Sequence, residues 1–586
     1  MERPQLTLDA AYKFTLWYGL FSRFLNSQEK GSECEARDKW VTNVATSLIR
    51  TSLPRKIQRT CCLSGACGRN SLTHKKIHFG RGEVSVARGE RDDVCACLAH
   101  ATACLGRPIS LFLREYSSSP SLAGDGHEGL RCMLRHMVLR SVTFSGIPDF
   151  QDAKQVVSEL SKTLGTNKRT LTRLSLGGLP SHVTITSLFH SLSRTDTVTE
   201  LRLEHCYIDD VTDLVEYMNA SRQLQRLSLR GNKEISKVIG ELANGISSCS
   251  SLLFFDMGHC GLKDSHLAVF LSNLSDFAHR TRFYLDISNN LLTNECFLNL
   301  SNSPPSFRRI LTHLNLSGHD FRDCGRDVVD ICLELSALTG IVLDHCDLNS
   351  RDVVLLVREL YQSNRHWSQL SFCGSGLTLE DIKRLARVEF AQNASFSVAG
   401  NRLGSCLQKL NLTSVIRLLS VLDLSLCEIE DEGVVQLAKT LEIAQPVSLR
   451  VLRLENNNIG TLGNKGCVGL QFLGRALRAR YAPYLEVLSL AKNKLSLRPL
   501  LTLVEQVSCS LKELNISYSS IATNDDQLID LLGTIIKRQK AQVQGGAFNQ
   551  LDVWALRSSD VDVHFGIDVA SRLEGQRVLR VIMEVK

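Results

Sequence analysis

The chain has 586 residues, of which 43% are hydrophobic and 22% are charged, a composition typical of folded proteins and not of disordered or fibrous ones. No run of about 18 or more apolar residues occurs, so the sequence predicts no membrane span. The net charge is +7, and residues 1–130 contribute +5 of it, with eighteen Lys and Arg against thirteen Asp and Glu.

Residues 1–130 are predicted to form a basic, partly disordered segment, because they follow no regular pattern. The stretch from Lys39 to Gly82 contains no acidic residue. A solvated tail, an organellar targeting sequence and a site for an acidic partner or nucleic acid all stay open for it. No recognised nucleic-acid module surrounds these charges, so nucleic acid is not predicted as a partner. No methionine lies between Met1 and Met133, which makes translation from Met133 a further hypothesis.

Cysteines and histidines are frequent between Cys61 and Cys104, and both are zinc ligands in proteins. The gap from Cys67 to His74 is too short for an ordinary zinc finger, and no paired C-x-x-C occurs. We therefore predict no metal site and no cofactor.

Residues 131–170 are predicted to be an N-terminal cap, because a repeat array needs a covered end. The stretch "LRHMVLRSVTFSGIPDF", from Leu134 to Phe150, has the pattern of a degenerate first strand. Met137 and Leu139 are expected to fill its core positions.

Residues 171–520 repeat the pattern L-x-x-L-x-L-x-x-(N/C) about every 28 residues. Between the copies, stretches such as "GVVQLAKTLEIA" place apolar residues three and four apart, which predicts helices. Each unit is expected to be a strand, a turn and a helix. The predicted fold is therefore an α/β right-handed solenoid (horseshoe) with a parallel concave sheet and outer helices. The second leucine-type position of the thirteen copies falls at Leu174, Leu201, Leu227, Phe255, Leu285, Leu314, Ile341, Leu370, Phe396, Leu422, Leu452, Leu488 and Leu514.

The strand motifs "LSLRGN", "LDISNN", "LRLENN" and "LSLAKN" resemble those of the ribonuclease-inhibitor subfamily of leucine-rich-repeat proteins. The resemblance covers about residues 171–520 and implies a horseshoe that binds other proteins. Inhibitors, actin-capping regulators, activators of small GTPases and immune sensors share this architecture, so the resemblance does not select one biological role.

Three His-Cys pairs, at 205–206, 259–260 and 345–346, follow strand motifs. The pairs are spread over several strands spaced about 4.8 Å apart, so their histidines cannot share one ion. The sequence therefore predicts a structural role for the cysteines. The cysteines Cys206, Cys260, Cys346 and Cys427 occupy the position that Asn232, Asn290, Asn401, Asn457 and Asn493 fill in other copies.

Side chains alternate across a strand, so the residues flanking the core leucines face the concave side of the predicted sheet. In the early repeats these positions predict a basic patch beside an acidic and aromatic one, which is typical of a protein-docking surface. Ordinary solvated sheet residues that pair their charges are the alternative. The predicted partner-binding residues are Arg173, Arg202, Glu204, Arg226, Arg230, Phe254, Asp256, Tyr284 and Asp286.

Residues 521–586 are predicted to be a C-terminal cap, with three strand-like stretches from Phe548 onward. No phosphate loop, G-x-S-x-G, H-E-x-x-H or kinase motif occurs in the chain, so no enzymatic activity is expected. We predict a cytoplasmic protein-interaction scaffold, with a cytoskeletal association left open. A regulator of a small GTPase or of cytoskeletal or ciliary assembly is the alternative, and an RNA-binding or organellar role comes third. The sequence does not determine the partner or the oligomeric state.

Overall fold

The computed structural model describes residues 134–535 with short gaps, together with the backbone of five strands outside this range. The gaps are 135–138, 147–149, 167–169, 181–182, 184, 196, 276–279, 323, 349–354, 357, 361–364, 405–411, 461–467, 509, 520–526, 528–529 and 532–533. The chain forms two compact units, called the first unit (Met1–Leu262 with Ser272–Arg280) and the second unit (Lys263–Leu271 with Thr281–Lys586).

The strands of the first unit run parallel to one another, except that β1 and β2 form an antiparallel pair. Each strand from β2 to β7 pairs with the strand that follows it in the chain, as expected for repeats that stack on their neighbours. The strands are β1 Ile77–Gly80, β2 Glu83–Val86, β3 Ile109–Arg114, β4 Leu139–Ser145, β5 Arg173–Gly177, β6 Glu200–Glu204, β7 Arg226–Ser228 and β8 Phe254–Asp256.

The second unit contains a parallel ladder of the same kind, in which each strand from β9 to β18 pairs with the next. The strands are β9 Phe283–Asp286, β10 Leu311–Asn315, β11 Gly340–Val342, β12 Trp367–Ser371, β13 Phe390–Ser397, β14 Leu419–Asp423, β15 Val451–Arg453, β16 Val487–Ser489, β17 Glu513–Asn515, β18 Leu551–Trp554 and β19 Leu579–Ile582.

Helices follow most strands of the repeats, because apolar residues recur there at helical spacing. The helix Glu430–Ala444, for example, buries Val434, Leu437, Ala438 and Leu441 on one side. The helices are α1 Phe150–Thr166, α2 Thr186–Leu192, α3 Thr212–Ala220, α4 Ile239–Ser248, α5 Asp264–Ser272, α6 Glu295–Ser301, α7 Pro305–Arg308, α8 Gly325–Glu334, α9 Leu379–Leu385, α10 Thr413–Ile416, α11 Glu430–Ala444, α12 Val468–Ala476 and α13 Leu497–Gln506, with a 3₁₀ helix at Lys233–Lys237. No helix in the described part of the chain is long and apolar enough to cross a membrane.

The register within each unit confirms the predicted repeat. In the first unit Leu174, Leu201, Leu227 and Phe255 lie side by side on adjacent strands. In the second unit the nine predicted positions from Leu285 to Leu514 do the same. All thirteen side chains are fully buried. The predicted α/β solenoid, with a parallel sheet and helices joining its strands, is therefore confirmed.

The first repeat strand differs from its prediction in register. Strand β4 pairs with β5 so that Val142 and Phe144 lie beside Leu174 and Leu176. Leu139 is buried but lies at the start of the strand, outside these two core positions, and Met137 lies outside the described residues. Leu139 therefore lies in the core at the first leucine position of the repeat pattern, three residues before Val142, and the two following core positions are filled by Val142 and Phe144.

The strands also extend into both flanking segments. Strand β3, which pairs with β4, lies within the segment predicted to be basic and partly disordered, and β18, which pairs with β17, lies within the predicted C-terminal cap. The boundaries 1–130, 131–170, 171–520 and 521–586 stay predictions.

Asp431, in the first turn of α11, is a buried acid with one unpartnered oxygen. Its Oδ2 accepts a hydrogen bond from the Gly460 N–H at 3.0 Å, whereas Oδ1 has no hydrogen-bond partner. Burial raises the pKa of Asp431 because the charged form loses hydration, and the Gly460 N–H opposes this shift. The folded protein therefore binds a proton at Asp431 more readily than the unfolded chain does.

We expect Asp431→Asn to raise the free energy of unfolding at pH 7 by up to about 1 kcal/mol, because it removes a poorly solvated charge. A raised pKa contributes stability at low pH that is lost as pH rises, so this difference should shrink as pH falls toward the ordinary carboxyl value of 3.8. Urea unfolding at pH 7 and at acid pH measures it. The control is Glu432→Gln, an exposed acid in the same turn. Equal stability of Asp431→Asn and the wild type at pH 7 would contradict the prediction.

Candidate functional site

A turn with positive φ follows each repeat strand and explains the repeated histidines. The residue four positions after the strand leucine has φ between 50° and 77°. Among non-glycine residues, Asn, Asp and His tolerate this conformation best. The three histidines of the His-Cys pairs thus occupy a backbone position that favours them. The residues at this position are Gly178, His205, Gly231, His259, Asn289, Gly318, His345, Gly374, Gly400, Leu426, Asn456, Lys492 and Tyr518.

Two of these histidines pack on a glycine in the next repeat. A Cβ added to Gly231 would lie 2.2 Å from the His205 ring, and one added to Gly374 would lie 2.3 Å from the His345 ring. Both glycines therefore supply a positive φ and room for an imidazole. In the part of the chain that the structure describes, no three His, Cys, Asp or Glu side chains gather as a metal site would require.

The next residue in each repeat fills a buried position, which we call the turn slot. An asparagine in this slot joins two repeats: Asn232 Oδ1 accepts the Cys206 N–H at 2.6 Å, and its Nδ2 donates to the Leu203 carbonyl at 2.6 Å. A cysteine makes fewer bonds, since Cys206 Sγ donates to carbonyls of Leu176 and Glu204. Burial raises the pKa of Cys206 and Cys427 to about 12, so these thiols are poor nucleophiles.

On the open face of the first unit, away from the core leucines, the register of β5 to β8 aligns three rows of side chains. We call these residues the arginine surface. The first row is Arg173, Glu200, Arg226 and Phe254, the second is Ser175, Arg202, Ser228 and Asp256, and the third contains Gly177 and Glu204, with Arg230 following the end of β7. All first-unit members of the predicted partner-binding set lie on this surface.

Glu200 lies at the centre of the arginine surface and is not among the predicted partner-binding residues. Its carboxylate lies 3.4 Å from Arg173 Nε, 2.6 Å from Arg202 Nη2 and 3.9 Å from Arg226 Nε. The predicted basic patch is therefore an ion-pair network, in which carboxylates alternate with guanidinium groups. The register that selected Arg173 and Arg226 also selects position 200, so the signal was present in the sequence.

Phe254 and Asp256 continue this network on β8. The Arg226 guanidinium carbon lies 3.9 Å from the centre of the Phe254 ring, a cation–π contact. Arg230 Nε donates to Asp256 Oδ2 at 3.1 Å, and the Ser228 hydroxyl lies within 3.1 Å of both Asp256 and Glu204. Aromatic, acidic and basic residues thus form one connected surface in the first unit.

The depth of these side chains differs by charge. The side chains of Arg173, Arg202 and Arg226 are 68%, 47% and 47% exposed, whereas those of Glu200 and Asp256 are 14% and 9% exposed. The carboxylates lie against the sheet and the guanidinium groups lie toward solvent. The outer layer of the arginine surface is therefore positive although its total charge is nearly balanced.

Tyr284 and Asp286 belong to the second unit and lie on the open face of β9. The Tyr284 ring stacks on His313, with centroids 5.5 Å apart, and His313 Nε2 lies 3.0 Å from Ser368 Oγ. Burial and the nearby Arg282 lower the pKa of His313, which favours a neutral ring. These contacts give the second unit its own aromatic and polar cluster.

The acids predicted for docking also have a local structural role. Asp256 accepts the Gly258 N–H at 2.9 Å, and Asp286 accepts the Ser288 N–H at 3.0 Å. Asn315, Asp423 and Asn515 accept the N–H two residues onward in the same way. This is an Asx turn at the end of the strand, and the repeated spacing (D/N)-x-(S/G) is its sequence signal. Asp256 and Asp286 therefore stabilise their turns in addition to lining the face.

Part of one repeat of the array matches a known family. Residues 416–438 match the family model described as "Leucine Rich repeat". This stretch contains β14, the turn with Leu426 and Cys427, and the first part of α11. The repeating unit is a leucine-rich repeat. The subfamily within the leucine-rich-repeat proteins is not identified.

No curated protein matches the chain. Among solved structures, the yeast Rad7 and Elc1 complex is 15% identical over 63% of this chain and 88% of that chain, with a TM-score of 0.36. An internalin (inlF) from Listeria monocytogenes is 13% identical over 74% of this chain and 86% of that chain, with a TM-score of 0.26. A TLR13–ssRNA13 complex is 15% identical over 82% of this chain and 59% of that chain, with a TM-score of 0.32.

Proposed function

We propose that this leucine-rich-repeat protein is a non-enzymatic scaffold that binds a protein partner on the open face of its early repeats. The observation that carries the proposal is the connected arginine surface, where Arg, Phe and carboxylate side chains are held by one another on rigid strands. Arg and aromatic residues are enriched among the side chains that dominate protein interfaces. Tyr284 and Asp286, on the open face of β9 in the second unit, are proposed as partner-binding residues of that unit.

Pre-ordering explains why such a surface suits binding. Each immobilised side chain costs about 0.5–1.5 kcal/mol of conformational entropy when a complex forms. Here the ion pairs at Glu200 and the contact between Arg226 and Phe254 already restrict these side chains. The free energy gained from contacts with a partner is therefore offset by a smaller loss of side-chain entropy.

A cytoplasmic location is part of this proposal. Cys206, Cys346 and Cys427 fill buried turn slots in which each thiol donates to a carbonyl of the preceding repeat. A reducing compartment keeps such thiols intact.

The proposal is tested by blocking the surface sterically in the full chain. Ser175 is partly exposed and lies beside Arg202 in the register, so a tryptophan there covers the face without removing a charge. We expect Ser175→Trp to lose protein partners that the wild type recovers in proximity labelling and affinity mass spectrometry.

The matched control is Ser193→Trp, which places the same bulk at an exposed position after α2. It should recover the wild-type partners. If Ser175→Trp also recovers them, with a folded repeat array by circular dichroism, the arginine surface is not the docking site.

A further inference from the structure

We propose that the arginine surface recognises an acidic segment of its protein partner, with carboxylate side chains seated on Arg173, Arg202 and Arg226 and an apolar side chain beside Phe254. This inference rests on the proposed function and specifies the chemistry of the partner.

The basic and acidic side chains of the arginine surface lie at different depths. Three guanidinium groups are about half exposed or more, while Glu200 beneath them is 14% exposed. An approaching ligand therefore meets positive charge first, although the carboxylates keep the total charge close to balanced. Such a surface attracts acidic groups at contact distance without a strong long-range field.

The arginines also have more N–H donors than Glu200 uses. Each guanidinium carries five N–H donors. Glu200 contacts Arg173 and Arg226 through their Nε atoms, which leaves their terminal amino groups to bind other acceptors. A carboxylate can accept two parallel bonds from such a group, which is the most favourable geometry for arginine.

The interleaved acids favour an acidic peptide over a nucleic acid. A continuous phosphate backbone would run beside Glu200, Glu204 and Asp256 as well as beside the arginines, and like charges repel. A peptide can instead place single carboxylates over the arginines and an apolar group against Phe254, whose ring is partly exposed. The interleaved charges and the aromatic ring therefore favour a protein ligand.

The test measures binding of three fluorescent probes to the full chain: a short glutamate peptide with one central phenylalanine, a lysine peptide of the same design, and a single-stranded RNA of the same length. The variants are Arg202→Gln/Arg226→Gln and the control Arg194→Gln, an exposed arginine beyond α2. We expect the glutamate peptide to bind the wild type and the control equally. The double variant should bind it about tenfold more weakly, since two exposed charge pairs are lost.

Three results would overturn the proposal: a lysine peptide that binds as well as the glutamate peptide, glutamate binding that is unchanged in the double variant, or RNA binding that weakens as much as peptide binding. The third result would assign the surface to nucleic acid. A loss of cellular partners by Ser175→Trp without any preference for the acidic peptide would retain the docking surface and reject only its acidic ligand. Partner recovery by Ser175→Trp would instead reject the docking surface itself.

Discussion

Replacing Asn457 with alanine is expected to lower the free energy of unfolding by about 2–4 kcal/mol, because a buried hydrogen-bond ladder between repeats is interrupted. Asn457 is fully buried in its turn slot. Its Oδ1 accepts the Cys427 N–H at 2.8 Å, and its Nδ2 donates to the Leu424 carbonyl at 2.7 Å. Alanine leaves both backbone groups buried and unpaired, and each such group costs about 1–3 kcal/mol.

Urea unfolding followed by circular dichroism measures this loss. Asn302→Ala is the control, because Asn302 is exposed after α6 and its removal strands no backbone group in the core. Asn457→Cys should lower the free energy of unfolding less than Asn457→Ala does, because a cysteine in the turn slot can still donate to a carbonyl of the preceding repeat. Cys427 donates in this way to the Val398 carbonyl at 3.4 Å. A loss for Asn457→Ala no larger than that for Asn302→Ala would show that the ladder does not stabilise the array.

The repeat itself was predictable because its core obeys one spacing. A leucine-type residue that recurs about every 28 residues must fill the same buried position each time, and the strand register followed from it directly. The exchange of Cys and Asn in the turn slot was equally visible, since both side chains serve the same buried turn. In these features a single physical requirement acts on every copy.

Features that depend on pairs of neighbouring strands were harder to predict. Glu200 forms ion pairs with arginines on both adjacent strands, and these pairs are not evident when the strands are considered one at a time. Asp256 and Asp286 were interpreted as acidic recognition groups, whereas each also accepts a backbone N–H of its own turn. Sequence reveals which residue types share a face, but the competition between local hydrogen bonds and ligand contacts is decided in three dimensions.

The turn slot departs from the Cys or Asn rule in four repeats, where it contains Leu179, His319, Ser375 or Ser519. His319 lies five positions after Leu314, as every slot residue does, and it is buried. Its Nδ1 lies 2.7 Å from the Leu316 carbonyl, and its Nε2 lies 3.2 Å from the Asn290 backbone nitrogen. The carbonyl requires a donor at Nδ1 and the N–H requires an acceptor at Nε2, so the neutral Nδ1–H tautomer fits both. In this form histidine reproduces the donor and acceptor of asparagine.

His319→Phe is expected to lower the free energy of unfolding by about 1–3 kcal/mol, because the Asn290 N–H loses its acceptor inside the core, while the Leu316 carbonyl keeps the weaker donor of the Cys346 thiol. His319→Asn keeps an acceptor and a donor of the consensus kind and should cost much less. Burial lowers the pKa of His319, so the unfolded chain binds a proton first as pH falls below about 6.5. The wild type should therefore lose stability from this group below that pH.

The difference between wild type and His319→Asn tests this account most sharply when urea unfolding is measured at pH 8 and again at pH 5. At pH 8 both proteins have a neutral slot residue, and their stabilities should be close. At pH 5 the unfolded wild type binds a proton at residue 319 more readily than the folded protein does. Protonation therefore stabilises the unfolded state of the wild type alone, and His319→Asn should be the more stable protein. His313, whose pKa is also lowered, is present in both proteins and cancels in the comparison. If the difference in the free energy of unfolding between the two proteins does not change with pH, the pKa of His319 is not lowered in the folded protein.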